Sequence, residues 1–239
     1  MFERRTIANQ ASRGRTRILH IDSSISGGPS ASRQLSAEIV NELERALPDA
    51  EVIRRDLEVY QLPHLDSKMM AAAFAEKDQV DTATGAELAR NEAVLQEFLG
   101  ADIVVIGAPM YNFTIPTQLK AWIDRILVAN RTFAYSESGP KGLAGGKKII
   151  VASSRGGLYV TGTPMAALDF QENYLRTVFR FIGIEDVEFV RAEGIALGPK
   201  QRAQAIGAGL ASIPDTVRRV VHAPAPAHHF EPGEVLRSA

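Results

Sequence analysis

The sequence contains no cysteine, which excludes disulfide bonds, thiolate catalysis and Cys-ligated metal or iron–sulfur centres. It also lacks an excess of either charge: 27 Lys and Arg residues stand against 28 Asp and Glu, a formal net charge of −1. So neutral a protein has no overall positive field to hold nucleic acid or an anionic membrane surface. No stretch approaches the ~18 consecutive apolar residues of a membrane span, and the basic, polar N-terminus has no apolar run like that of a signal peptide. We therefore expect a cytoplasmic protein without nucleic-acid or membrane partners.

Short apolar segments alternate with amphipathic ones along most of the chain, which predicts βαβ units and a parallel sheet. Periodicity alone leaves a flavodoxin-like and a Rossmann-like sheet equally possible. The strand candidates are residues 17–21, 51–55, 102–107, 148–153 and 187–190, and the helix candidates are residues 35–47, 84–100, 116–127, 167–182 and 199–221. The almost wholly apolar run 102–107 suits a central strand buried on both faces. Residues 1–15 and 222–239 are predicted to be flexible tails around one domain, residues 16–221.

Three loops follow predicted strands, where open parallel sheets bind their ligands. The first, residues 23–32, holds five serines and leads directly into a helix. The free amides of a helix N-terminus attract a phosphate, but serines before a helix also serve simply as caps, and the loop alone does not decide between these roles. It lacks both the G-x-G-x-x-G spacing and the P-loop pattern.

The second and third loops contain unusual residues for turns. Residues 108–113, Ala-Pro-Met-Tyr-Asn-Phe, could flank a flat heteroaromatic ring, or could pack as core. Residues 153–157, Ser-Ser-Arg-Gly-Gly, carry paired glycines that let backbone approach a ligand closely, or that form an ordinary turn. Because all three loops are expected to meet at one edge of the sheet, a shared binding site is the stronger interpretation.

These loops and several further segments are similar to the FMN-dependent NADH-azoreductases of the flavodoxin-like superfamily. The similarity covers roughly residues 17–215. The segments that carry it are residues 21–24, 30–32, 108–113, 118–120, 145–148, 154–157, 181–184 and 192–194.

The resemblance implies a flavodoxin-like three-layer sandwich with a five-stranded parallel sheet of order 2-1-3-4-5. It also implies one FMN per subunit, active sites at a homodimer interface, and ping-pong transfer of two electrons from NADH or NADPH to quinones and azo compounds. The flavin N5 then carries the hydride, so no catalytic acid or base is required. The FMN-binding residues implied are Ser23, Pro29, Ser30, Ala31, Ser32, Met110, Tyr111, Asn112, Phe113, Ser154, Arg155, Gly156 and Gly157.

Within this set, Gly156 and Gly157 are expected to donate backbone N–H groups to the flavin N1 and O2. Pro29 departs from the commoner residue of the family and, having no N–H, removes one possible phosphate donor. Arg155 is either a surface charge or a contact to a cofactor phosphate. Tyr135 and Tyr159 are candidates for the substrate pocket.

Other functions fit less well. A flavodoxin-type electron carrier should have a strongly acidic docking face, which a net charge of −1 disfavours, and the extra loops at residues 60–83 and 130–146 suit a substrate pocket better. An FMN-free regulatory domain would not need the three loops. The five histidines do not have the spacing of a structured zinc site, so no metal is predicted.

Overall fold

The computed structural model describes residues 14–72, 75, 80–137, 139–160 and 162–222. The predicted tails lie outside this part of the chain except for residues 14–15 and for His222, which is the last residue of a helix. No helix among the described residues is both long and apolar enough to cross a membrane.

Strands and helices alternate as the sequence predicts, except that two helices follow each other between residues 67 and 100 and three strands do so between residues 133 and 154. The strands are β1 (Arg17–Asp22), β2 (Glu51–Asp56), β3 (Ile103–Pro109), β4 (Phe133–Ser136), β5 (Gly139–Gly142), β6 (Lys148–Ser154) and β7 (Val187–Ala192). The helices are α1 (Ala31–Ala46), α2 (Ser67–Ala72), α3 (Thr82–Gly100), α4 (Thr117–Ile126), α5 (Phe170–Phe181) and α6 (Pro199–His222).

The main sheet has five strands in the order β2-β1-β3-β6-β7, and all its pairings are parallel. With the five sheet strands numbered by themselves, this is the predicted order 2-1-3-4-5. It is the flavodoxin-like order and not the Rossmann order, so the alternative that periodicity left open is resolved. Strand β3 is buried at all seven positions, as its apolar run predicts, and β2 lies at the edge.

The sheet lies between two helical layers. Leu19, Val104 and Ile149 pack with α3, α4 and α5 on one face, whereas Ile18 and Val105 pack with α1 and α6 on the other. Because successive residues of a strand point to opposite faces, each central strand supplies both cores. The predicted three-layer sandwich is thus confirmed.

Strands β4 and β5 form a separate two-stranded antiparallel sheet within residues 130–146, which the sequence predicts only as a loop. Phe133 packs against Phe181 with ring centroids 4.8 Å apart. A Cβ at Gly142 would lie 2.1 Å from the backbone nitrogen of Gly183, so only glycine allows the two backbones to approach this closely. The hairpin is therefore held by contacts with the end of α5 and not by a pattern of its own.

Candidate functional site

The three predicted loops begin side by side at the carboxyl edge of the sheet. The backbone N–H and hydroxyl of Ser23 both donate to the carbonyl of Gly107, at 3.2 and 2.7 Å. The N–H of Met110 donates to the carbonyl of Ser154 at 2.8 Å. A Cβ at Gly107 would lie 2.4 Å from Asp22 Oδ1, so a larger residue would displace this carboxylate, which accepts from the hydroxyl of Ser36 at 2.8 Å. The structure thus brings together the segments that the sequence assigns to one site.

The first loop presents free amides at the start of α1. Ser30 is the N-cap of this helix, and its hydroxyl accepts from the N–H of Arg33 at 3.4 Å. Within the described chain, the N–H groups of Ala31 and Ser32 have no protein acceptor. Gly28 has open space where a Cβ would stand. Capping by serine and an open amide site therefore coexist here, and such a helix end suits an anion.

Arg33 holds this loop in place. Its Nε and Nη2 donate to the carbonyl of Ser24 at 3.2 and 2.7 Å, and its Nη1 and Nη2 donate to the carboxylate of Asp56 at 2.6 and 2.8 Å. The hydrogen bond between these side chains raises the pKa of Arg33 and lowers the pKa of Asp56. Nothing in the sequence indicates this pairing. Arg33 lies on α1 and Asp56 ends β2, so only the folded chain brings the two side chains together.

The second loop is a strained turn. Tyr111 and Thr114 exchange backbone hydrogen bonds at 2.9 and 3.1 Å, and the two residues between them, Asn112 and Phe113, have φ angles of 48° and 72°. Non-glycine residues seldom adopt such angles, and they concentrate at functional sites when they do. Phe113 is 44% exposed, so the alternative that this loop packs as core is wrong. The Tyr111 hydroxyl lies 3.3 Å from the hydroxyl of Ser24, which joins the first and second loops.

The third loop turns its carbonyls towards the protein. The carbonyls of Arg155, Gly156 and Gly157 accept from the amides of Ile195, Ala196 and Gly194, respectively. Across the described residues, the N–H groups of Gly156 and Gly157 donate to no protein acceptor. Two adjacent amide donors are therefore left available, and their donation to the flavin N1 and O2 stays a prediction.

Arg155 requires a correction, because it is only 1% exposed and is not a surface charge. Its guanidinium contacts three carboxylates, those of Asp169, Glu172 and Glu193. Since three negative charges surround it, contact between this side chain and a cofactor phosphate is also disfavoured. No pattern in the sequence indicates these acidic partners, although Glu193 falls inside the segment 192–194 that carries the family resemblance.

The two candidate pocket tyrosines occupy different surroundings. Tyr159 is 9% exposed, and a Cβ at Gly157 would lie 3.3 Å from its ring atom Cε2, which places the ring next to the third loop. Tyr135 is 76% exposed on β4, and its described ring contact is with Phe133, at 5.6 Å between centroids. Of these two tyrosines, Tyr159 alone lies next to one of the three loops within a single chain.

Exposed apolar side chains surround the site. They follow the carboxyl ends of β1, β2, β3 and β6, and their exposed fractions run from 41% to 67%. The members are Ile25, Val59, Tyr60, Phe113, Leu158 and Val160. Such a concentration around one edge of a sheet is typical of a surface that another molecule covers. Among the described residues, no group of three or more His, Asp or Glu side chains could hold a metal ion.

Comparison with known proteins agrees with this geometry. Residues 16–216 match the family described as having the flavodoxin-like fold. The chain is 57% identical over 207 residues to an FMN-dependent NADH:quinone oxidoreductase of Ralstonia nicotianae, a match that covers 86% of this chain and 99% of that protein. A protein of the same name from Azospirillum brasilense is 54% identical over 198 residues, covering 82% of this chain and 95% of that protein.

Solved structures are similar over the same region. An azoreductase from Bacillus anthracis superimposes with a TM-score of 0.78 at 29% identity, covering 85% of this chain and 99% of that one. An FMN-dependent NADH-azoreductase from the same species, solved in complex with FMN, has a TM-score of 0.79 at 24% identity and covers 85% of this chain and 98% of that one. At that identity, the second comparison supports the fold alone.

Proposed function

We propose that the chain, which belongs to the family with the flavodoxin-like fold, is an FMN-dependent oxidoreductase that reduces quinones and azo compounds with NADH or NADPH. The observation that carries the proposal is the arrangement of donors at one sheet edge. Free amides of Ala31 and Ser32 lie beyond β1, and free amides of Gly156 and Gly157 lie beyond β6, on either side of the strained turn after β3. The relatives named FMN-dependent NADH:quinone oxidoreductases support the same activity.

The residues present fit FMN. Its phosphate would lie at the N-terminus of α1, where the amides and the hydroxyls of Ser30 and Ser32 could bind an anion without a cation. The ring would lie against the turn formed by Tyr111, Asn112 and Phe113, in which Asn112 and Phe113 have φ angles of 48° and 72°.

Charge at the ring's pyrimidine edge would be met by backbone donors. FMN, when bound, supplies the two-electron chemistry between the nicotinamide and the acceptor, while the protein supplies binding, orientation and electrostatics. The amides of Gly156 and Gly157 would stabilise negative charge at the flavin N1 and O2, as oxyanion-type donors do. Ser154 and Tyr159, which are both buried, would border this edge.

A homodimer would complete the site. The exposed apolar side chains around the loops would be covered by a second copy, and Tyr135 would meet the pocket only from such an assembly. One pocket would then admit the nicotinamide and the acceptor in turn, which is a ping-pong scheme. A cytoplasmic location is part of this proposal.

The test uses the purified full chain and its absorbance spectrum. A band near ~450 nm that bleaches with NADH under anaerobic conditions and returns with benzoquinone supports the proposal. A yellow protein that NADH and NADPH fail to bleach would favour an electron carrier instead. A colourless protein that takes up no added FMN overturns the proposal. Sedimentation analysis tests the dimer separately.

A further inference from the structure

A buried ionic cluster lies directly beneath the third loop. We call it the Arg155 cluster, and its members are Arg155, Asp169, Glu172 and Glu193. The Nη1 of Arg155 lies 2.8 Å from Glu193 Oε1 and 3.2 Å from Asp169 Oδ2, and its Nη2 donates to Glu172. Glu172 also accepts from Arg191 at 2.8 and 2.7 Å. One arginine and three carboxylates, whose side chains are 1–13% exposed, are thus packed where water is largely excluded, whereas Arg191 is 39% exposed at the outer side.

Such a cluster is a poor way to stabilise a fold. Burying charges carries a large desolvation cost, and replacing a buried ion network with apolar residues of similar volume is often neutral or stabilising. The contacts of the cluster with the third loop point to a role other than stabilising the fold.

Glu193 connects the cluster to the loop at two places. Its Oε1 accepts from Arg155 Nη1 at 2.8 Å and also from the backbone N–H of Tyr159 at 3.2 Å. One carboxylate oxygen therefore holds the residue before the glycine pair and a residue just after it. The loop carbonyls are held in addition by the amides of residues 194–196. Between these fixed points, the only polar backbone groups left without a protein partner in the described loop segment 155–157 are the two glycine N–H groups.

We propose that Glu193 is a positioning residue that, through Arg155 and the Tyr159 amide, aims the N–H groups of Gly156 and Gly157 so that the site binds the reduced, negatively charged flavin more tightly than the oxidised one. This inference rests on the proposed FMN function. Preset donors act most strongly on charge that develops during a reaction, so their placement should affect the reduced state more than the oxidised state.

The experiment measures dissociation constants of the apoprotein for oxidised FMN and for chemically reduced FMN under anaerobic conditions. Glu193→Ala removes the acceptor, and Glu193→Asp keeps the charge but shortens its reach. Both are expected to weaken binding of reduced FMN about tenfold more than binding of oxidised FMN, a change of ~30 mV in the two-electron potential towards more negative values. Glu193→Gln keeps a neutral acceptor and should retain most of the wild-type ratio of the two constants.

Arg191→Gln is the matched control, because Arg191 contacts the outer side of the cluster through Glu172 and is not bonded to the loop. It should leave the ratio unchanged. If the cluster acted only through its charge, Glu193→Ala and Glu193→Gln would shift the ratio equally and Glu193→Asp would not shift it, which overturns the inference. If Glu193 were merely structural, all variants would weaken both forms equally, which also overturns it.

Two further outcomes separate this inference from the proposed function. A wild-type protein that binds neither form of FMN overturns the proposed function and the inference together. A wild-type protein that binds both forms, with a ratio that no Glu193 variant changes, overturns the inference alone. If Glu193→Ala fails to fold by circular dichroism, Glu193→Asp still decides.

Discussion

Replacing Arg33 with glutamine should destabilise the fold and loosen the first loop, residues 23–32. The substitution removes four N–H donations, two to the Ser24 carbonyl and two to the Asp56 carboxylate. The side chains of Arg33 and Asp56 are 18% and 30% exposed, so water can partly replace the lost partner. Hydrogen bonds to charged groups contribute about 1.5–3 kcal/mol each when well formed, and rehydration reduces their sum. We therefore expect a loss of about 2–3 kcal/mol in the free energy of unfolding, which for a domain of this size lowers Tm by roughly 4–12 °C.

FMN affinity should fall as well, because the first loop is no longer tied to β2. We expect a dissociation constant about tenfold higher in Arg33→Gln, a difference of ~1.4 kcal/mol. Arg33→Lys keeps the charge but lacks the planar fork, so it should recover only part of the affinity if geometry matters more than charge. Thermal melts and fluorescence titrations of the apoprotein measure both quantities.

The control is Arg45→Gln. Arg45 lies on the same helix, and its ion pairs with Glu38 and Glu42 lie on the exposed surface. Surface pairs of this kind contribute little, so this variant should behave as the wild type. The reasoning about Arg33 is refuted if Arg33→Gln melts at the same temperature as Arg45→Gln and binds FMN equally well.

Further substitutions test other parts of the structure. Gly107→Ala should lower the free energy of unfolding in urea by about 2 kcal/mol, because its Cβ would lie 2.4 Å from Asp22 Oδ1. Gly207→Ala, which has open space on α6, should raise it by ~0.5–1 kcal/mol, and equal effects of the two substitutions would contradict the clash at Gly107. Asn112→Val should cost about 1–2 kcal/mol, since a β-branched residue tolerates a φ of 48° poorly, and an unchanged midpoint would argue against the strained turn. Asp56 has a lowered pKa in the folded state, so its stabilising effect is complete above its unfolded pKa of ~3.9 and is lost as the pH falls through the folded value. The free energies of unfolding of the wild type and Asp56→Asn should therefore differ at pH 5–7 and converge in acid. A difference that stays constant from pH 7 into acid would exclude this mechanism.

Most of the sheet could be predicted from the sequence because its central strands are buried on both faces. The apolar run before Gly107 and the one after Lys148 have few alternatives to a parallel strand. The β4–β5 hairpin could not be predicted in this way. Its second strand is Gly-Pro-Lys-Gly, which has no apolar alternation, and its position depends on the contact of Phe133 with Phe181.

The same distinction applies to the candidate site. Parallel strands end at one edge, so the meeting of the three loops follows from strand order and needs no knowledge of side chains. The burial of Arg155 depends instead on carboxylates from two distant segments, Asp169 at the start of α5 and Glu193 after β7. An arginine is usually exposed, and only the folded chain shows that this one is not.

The way the loops are joined has a consequence for the order of folding. Ser23 and Gly107 are bonded to each other although 84 positions separate them, and Met110 is bonded to Ser154 on a third strand. Contacts of such span form only after large loops of chain have closed. A partly folded sheet would therefore not form the FMN site. We expect FMN to bind only the native state, so that it lowers the unfolding rate and leaves the folding rate unchanged.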